Sequence, residues 1–160
     1  YDAGASHARE VMPDECCGVL VGAAGDAAVD EVIRFDNLAD RLHAADPEAF
    51  PRSARTAWWM DGGRLREVMA RGDAAGRPVK AIYHSHGARG AYFSDEDERL
   101  ARAETRLLGA VLWLVMGGDG EARAFGHDAA DDTFRERALV VEGRGASPRG
   151  YSSSGEGGAP

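Results

Sequence analysis

The sequence predicts an α/β or α+β domain with a central β-sheet, and three observations carry that prediction. Short apolar runs bounded by glycine, such as "CCGVLVG" and "GAVLWLVMG", have the length and composition of buried strands. Segments with apolar residues at helical spacing, such as "DGGRLREVMARGDAAG" and "SDEDERLARAETRLL", read as amphipathic helices. The two kinds are mixed irregularly along the chain, with no internal repeat, as when helices cover a shared sheet.

Taken in order, "SHAREVM" is the end of a helix stopped by Pro13, which lacks a backbone donor. "CCGVLVG" is the first strand and "AAVDEVIRF" the second. From Asn37 to Arg55, two prolines and the loss of any period predict a long connection with one helical turn. "TAWWM" is predicted as a strand, with Trp58 and Trp59 facing opposite sides. Leu65, Val68 and Met69 give the next helix its apolar face, with an end near Gly72. "RPVKAIYHSH" is a strand whose imperfect alternation fits burial on both faces. A helix over "SDEDERLARAETRLL" and a strand over "GAVLWLVMG" follow. "GEARAFGH" pairs with that strand through a turn at Gly117 to Gly120, and "TFRERALVV" supplies a last strand. Residues 1–142 are thus expected to form one domain. Residues 143–160, rich in Gly, Ser and Pro, are expected to be a disordered tail.

The length of 160 residues suits a single domain with a sizeable core. Lys and Arg number 19 against 27 Asp and Glu, a net charge of −8. That sign argues against a general nucleic-acid binder, because phosphate contacts need a basic face. The most apolar stretch, Ala110 to Met116, is far shorter than the ~20 residues of a spanning helix, so no membrane partner is expected. Cys16 and Cys17 are adjacent rather than spaced as a disulfide framework, and no signal peptide is recognisable; a cytoplasmic location is the expectation. The chain opens on Tyr1 rather than methionine, and natural sequence carrying an N-terminal strand is expected ahead of it. Nothing in the pattern specifies an oligomeric state.

The chemistry concentrates in "YHSHGARGAYFSDED", residues 83–97. If the strand continues through them, His84 and His86 project to one face and offer ring nitrogens to one point, a frequent start of a Zn²⁺ site. Alone, the pair is a weak signal. The downstream half has a structural explanation of its own: Ser94 is a favoured N-cap and Asp97 at N3 completes a capping box. Asp95, Glu96 and Asp97 also complement the positive end of the helix dipole.

The conjunction is more specific than its parts. His-Ser-His, seven residues, then Ser-x-x-Asp, with Glu15 far upstream in "MPDECCGVLVG", resembles the signature of the JAMM (JAB1/MPN/Mov34) zinc metalloproteases. The P-x-E-x-C-G segment is that of the bacterial JAB-domain type, and "HARE" and "AIYHSH" strengthen the match from about Ser6 to His127. The resemblance implies the MPN/JAB (cytidine-deaminase-like) fold, a mixed, curved sheet flanked by helices with zinc at one edge. Carried onto this sequence, it makes His84, His86 and Asp97 the ligands of one Zn²⁺ per chain. Glu15 becomes the general base that holds the water and later protonates the leaving amine, and Ser94 the donor to the oxyanion. The implied reaction is deubiquitinase-like: hydrolysis of a peptide or isopeptide bond at the C-terminal Gly-Gly tail of a ubiquitin-like or sulfur-carrier β-grasp protein. Many relatives carry proline after the second histidine and before the serine, where this chain has Gly87 and Phe93.

Two other readings stand beside this one. A non-catalytic MPN-type scaffold would bind a partner without cutting it, although zinc binding alone needs neither Glu15 nor Ser94. A Cys–His hydrolase would use Cys16 or Cys17, whose place at the head of a buried strand suits small core residues better. Ser85 is expected to face away from the metal, and His7 to lie at the surface or behind the ligands. His43 and His127 have no partner at ligand spacing. Arg55, Thr56, Trp58 and Phe93, with Arg52 nearby, are the candidates for contact with a substrate tail.

Overall fold

A computed structural model describes residues 1–118 and 120–141, without the side chains of Arg106 and Leu107. The expected tail, 143–160, lies outside the described residues. In chain order the elements are α1 (Asp2–Val11), β1 (Cys17–Val21), β2 (Glu31–Phe35), α2 (Ala39–Ala45) and α3 (Gly62–Ala74). They continue with β3 (Val79–Ser85), α4 (Asp95–Leu108), β4 (Leu112–Met116), β5 (Ala122–Asp128) and β6 (Thr133–Arg137). The strands form one six-stranded sheet in the order β2-β1-β3-β4-β5-β6. Only β3 and β4 run parallel, joined through α4, so the sheet is mixed and the fold is α+β.

Strand alternation divides the core between the two faces of the sheet. Val19, Ile82, Trp113, Val115 and Phe125 meet Leu65 and Val68 of α3 and Ala101 of α4 on one face. Leu20, Ala81, Tyr83, Leu114 and Met116 pack with Ala8 and Val11 of α1 on the other. His84 has the parity of Ile82, so it belongs to the α3/α4 face.

The antiparallel pairing of β1 with β3 sets Cys17 beside His84 and Gly18 beside Tyr83. Glycine is required there: a Cβ on Gly18 would lie 2.4 Å from the carbonyl oxygen of Ile33 and 2.5 Å from the Tyr83 ring. This pairing brings the N-terminal end of β1, and Glu15 ahead of it, to the C-terminal end of β3. The same end receives the N-terminus of α4, because the helix that joins parallel β3 and β4 starts where β3 ends.

Three sequence expectations change. "TAWWM" is not a strand, because both edges of β1 are occupied and this segment passes over the sheet instead. Its backbone is satisfied elsewhere: Asn37 Nδ2 donates to the carbonyl of Ala57, Asn37 Oδ1 accepts from Trp59 N–H, and Leu38 N–H donates to the carbonyl of Trp59. The predicted single turn in the long connection is a seven-residue helix, α2, whose Ala39 packs with Ala54 and Ala57. Helix α3 runs through Gly72 to Ala74, since one interior glycine costs only about 1 kcal/mol and Leu65 and Val68 anchor the face. Among the described residues no helix is long and apolar enough to cross a membrane.

Candidate metal centre and its cleft

His84 is the penultimate residue of β3, and the ladder continues one step past the strand, where His86 N–H donates to the carbonyl of Met116 at 3.0 Å. Both rings therefore turn to the α3/α4 face. Asp97 reaches them from the first turn of α4, where Ser94 and Asp97 form the expected capping box. Asp97 N–H donates to Ser94 Oγ at 3.1 Å, and Ser94 N–H donates to Asp97 Oδ2 at 2.9 Å. The cap thus aims the carboxylate at the histidines.

Three side chains converge. His84 Nε2 and His86 Nε2 are 3.1 Å apart, His84 Nε2 is 3.1 Å from Asp97 Oδ1, and His86 Nε2 is 3.2 Å from Asp97 Oδ2. Ligands about 2.0–2.1 Å from a tetrahedral Zn²⁺ are separated by roughly 3.3 Å, so this spacing fits a shared metal ion. The three residues are all buried and form a group able to hold one.

Protonation suits the same purpose. Burial holds His84 below the ordinary histidine range against the pull of Asp97. Burial opposes ionisation of Asp97, but the two histidines and Ser94 outweigh it and hold the carboxyl well below its ordinary range. His86 Nδ1 lies 3.3 Å from the carbonyl of Gly90; a proton on Nδ1 leaves the Nε2 lone pair facing the cluster. His84 Nδ1 has no such partner among the described residues. Its ring is held by Trp58, which stacks on it at 5.0 Å between centroids and 21° between planes. Neutral imidazoles and a carboxylate are the forms a divalent metal requires.

Glu15 is fixed through its backbone. Its N–H donates to the carbonyl of Ala54 at 2.7 Å, and Asn37 Nδ2 donates to its carbonyl at 2.9 Å. Immediately after it, Cys16 N–H donates to Ser85 Oγ at 2.9 Å, so Ser85, turned away from the histidine rings, ties the start of β1 to β3. The Glu15 side chain is 4% exposed and meets Arg89 Nη2 at 2.6 Å. Burial raises its carboxyl to about 7, against the opposing fields of His86 and Arg89.

Glu15, His86, Ser94 and Asp97 line one cleft of about 310 Å³. Thr56 and Trp58 share its wall, with Trp58 itself only 7% exposed. The other candidate tail contacts lie elsewhere: Arg55 faces Asp14 at 3.8 Å outside the lining. Phe93 turns inward to stack on Phe125 at 4.7 Å, because it flanks the cap of α4 on the core side. His7 is a buried partner of the Tyr83 hydroxyl, 2.8 Å away on the opposite face of the sheet, rather than a surface or ligand-backing residue. Cys16 and Cys17 are buried; burial pushes the Cys16 thiol to about 11 and the Cys17 thiol higher still.

Sequence reasoning did not find Arg89, Tyr92 and Arg99 in the cleft, or the four hydrogen bonds of Asn37 that hold Glu15 beside the Trp58 segment. The one available signal for Arg89 was a lone cation in the glycine-rich gap. Gly87 in that gap has φ +58°, and a Cβ there would lie 2.7 Å from the carbonyl of Pro13. Proline cannot adopt that φ, so its absence after His86 is a conformational requirement of this loop.

Known proteins resemble this chain in sequence and in fold. The chain is 37% identical over 101 residues to the CysO-cysteine peptidases of Mycobacterium bovis and Mycobacterium tuberculosis. That alignment takes in 62% of this chain, which spans 60% of the relatives' length. Its fold matches a protein from Desulfitobacterium hafniense with TM-score 0.64 and 22% identity, over 87% of this chain and 86% of the other. A Salinibacter ruber protein matches with TM-score 0.53 and 21% identity, over 91% and 89% of the two chains. Residues 1–131, which include every residue of the cluster, match the prokaryotic homologs of the JAB domain, and the chain belongs to that family.

Proposed function

We propose that this chain is a zinc-dependent metallopeptidase of the JAMM type. Its target is a peptide or isopeptide bond at the C-terminal Gly-Gly tail of a ubiquitin-like or sulfur-carrier β-grasp protein. The observation that carries the reading is the convergence of His84, His86 and Asp97, 3.1–3.2 Å apart, at the floor of a cleft that His86, Asp97 and Glu15 line. The relatives' name, CysO-cysteine peptidase, supports a peptide bond as the target.

Zinc held by these residues would lower the pKa of a water to ~7 and polarise the scissile carbonyl. Glu15 would accept a proton from the attacking water at a carboxylate oxygen and deliver it to the leaving amine; a pKa near neutrality suits both directions. Ser94 Oγ lies 2.5 Å from Asp97 Oδ2, so its hydroxyl must rotate away from Asp97 to donate to the developing oxyanion. An extended glycine tail enters with little steric demand and can bind through its main chain. The cysteine route is disfavoured by the raised thiol pKa of Cys16 and the burial of both cysteines, which leave no accessible thiolate at neutral pH.

The test is metal analysis of the purified, metal-replete protein, followed by incubation with β-grasp proteins bearing C-terminal extensions and identification of products by mass. One zinc per chain and chelator-sensitive cleavage that survives thiol blocking are expected. Protein without stoichiometric zinc sinks the reading.

A further inference from the structure

Three arginines line the cleft, and their partners differ. Arg52 and Arg99 both bind Glu96, at 2.8 and 2.6 Å, so their charge is met by a carboxylate with no part in the proposed chemistry. Arg89 instead binds Glu15, the proposed base. Its backbone is anchored on both sides: Arg89 N–H donates to the carbonyl of His86 at 3.1 Å, and Gly118 N–H donates to the carbonyl of Arg89 at 2.9 Å. Its side chain is 47% exposed, while that of Glu15 is 4% exposed. A guanidinium on a fixed stem therefore stands half in solvent, with one face committed to the group that must be free to handle a proton.

We infer that Arg89 is the specificity residue for a free carboxylate on the leaving group, so that the enzyme removes a single C-terminal residue. This rests on the peptidase reading above. On binding, the substrate carboxylate takes the guanidinium, a fork that suits planar bidentate pairing, and releases Glu15 Oε1 to the water. Length follows from covalent geometry. The carboxylate of a one-residue leaving group lies within one Cα step, about 3.8 Å, of the attacked bond, and each further residue carries it away by roughly 3.3–3.6 Å. A guanidinium that touches the base is placed for the first of these distances. In the step itself the amide C–N bond breaks and the water oxygen bonds to the carbonyl carbon. Both water protons end on the departing nitrogen, so an amino acid leaves as its ammonium form and the shortened tail ends in a carboxylate. An isopeptide-linked protein carries no carboxylate at that position and is a poor substrate.

The test uses the zinc-loaded protein and a short peptide ending in Gly-Gly-Ala whose last amide is reduced to a methylene-amine, so that it binds without being cut. Calorimetry compares its free acid with its C-terminal amide. Wild type is expected to bind the acid at least tenfold more tightly. Arg89→Gln removes the preference, Arg89→Lys retains part of it, and Glu15→Gln strengthens binding of the acid alone by removing the competing carboxylate. Equal affinity for acid and amide in wild type, absence of binding included, overturns the inference, as does a preference that survives Arg89→Gln. If the preference is present but zinc-loaded protein leaves the unmodified free-acid peptide intact, the peptidase reading fails and the carboxylate site stands.

Discussion

The two sides of the cleft are built differently. On the ligand side His84, His86 and Asp97 are 0%, 4% and 6% exposed, and each is aimed by main-chain structure, two by the β3 ladder and one by the capping box of α4. On the rim, the side chains of Arg52, Arg89 and Arg99 are 42%, 47% and 69% exposed and are aimed by ion pairs. Surface pairs of that kind contribute little to stability and exchange partners readily. The proposed metal ligands are fixed by the backbone, whereas the rim arginines are held by contacts that can be traded, as the proposed response to a substrate would need. Glu15 stands at the boundary, with a backbone locked like a ligand and a side chain paired like a rim residue.

The largest expected effect is on the ligand side. His86→Ala loses zinc and all cleavage together, measured by metal analysis and product mass; zinc retained at one per chain would break the division just drawn. Glu15→Gln keeps the metal while cleavage falls by roughly 10²–10⁴-fold. Ser94→Ala lowers the rate by on the order of 10²-fold. It also removes a helix cap worth about 1 kcal/mol in denaturant unfolding. Asn37→Ala leaves groups around Glu15 and Trp58 unpaired, and about 2 kcal/mol of stability is lost with zinc stoichiometry unchanged.

A dependence on pH sharpens the position of Glu15. Its carboxyl is raised from 4.5 to about 7 by burial. Between those values the folded chain keeps a proton that the unfolded chain gives up. The contribution of this group to stability is therefore full below 4.5 and is lost as pH rises through about 7. Denaturant midpoints of the metal-free protein should decline over that interval, and Glu15→Gln should flatten the decline.

Much of this was legible because it is local. Apolar runs gave β1, β3 and β4, and the spacing of Ser94 and Asp97 gave the cap of α4. His84 and His86 share a face through simple strand parity. What escaped depends on contacts between distant segments. "TAWWM" has strand composition, yet β1 is already paired on both sides and Asn37, far upstream, satisfies the segment's backbone. Trp58 has the look of a strand residue and instead holds the ring of His84. Phe93 neighbours the cap in sequence, but Phe125 and Phe134 draw it into the core. Arg89 gave no periodic signal, since a loop cation acquires meaning only from the carboxylate it meets.

The close packing of Gly18 on Tyr83 bears on the proposed catalysis. His84, His86 and Asp97 lie within one continuous strand-loop-helix unit, but Glu15, the proposed base, arrives with another strand, so the proposed activity would depend on how β1 slides along β3. A slip of two residues would preserve the faces and leave the ligand cluster whole while carrying Glu15 about 7 Å out of reach. It would also bring Cys16 or Leu20 near the Tyr83 ring, where no Cβ fits. The missing side chain at Gly18 is thus a vernier stop, setting the distance from Glu15 to the His84, His86 and Asp97 cluster from the far face of the sheet.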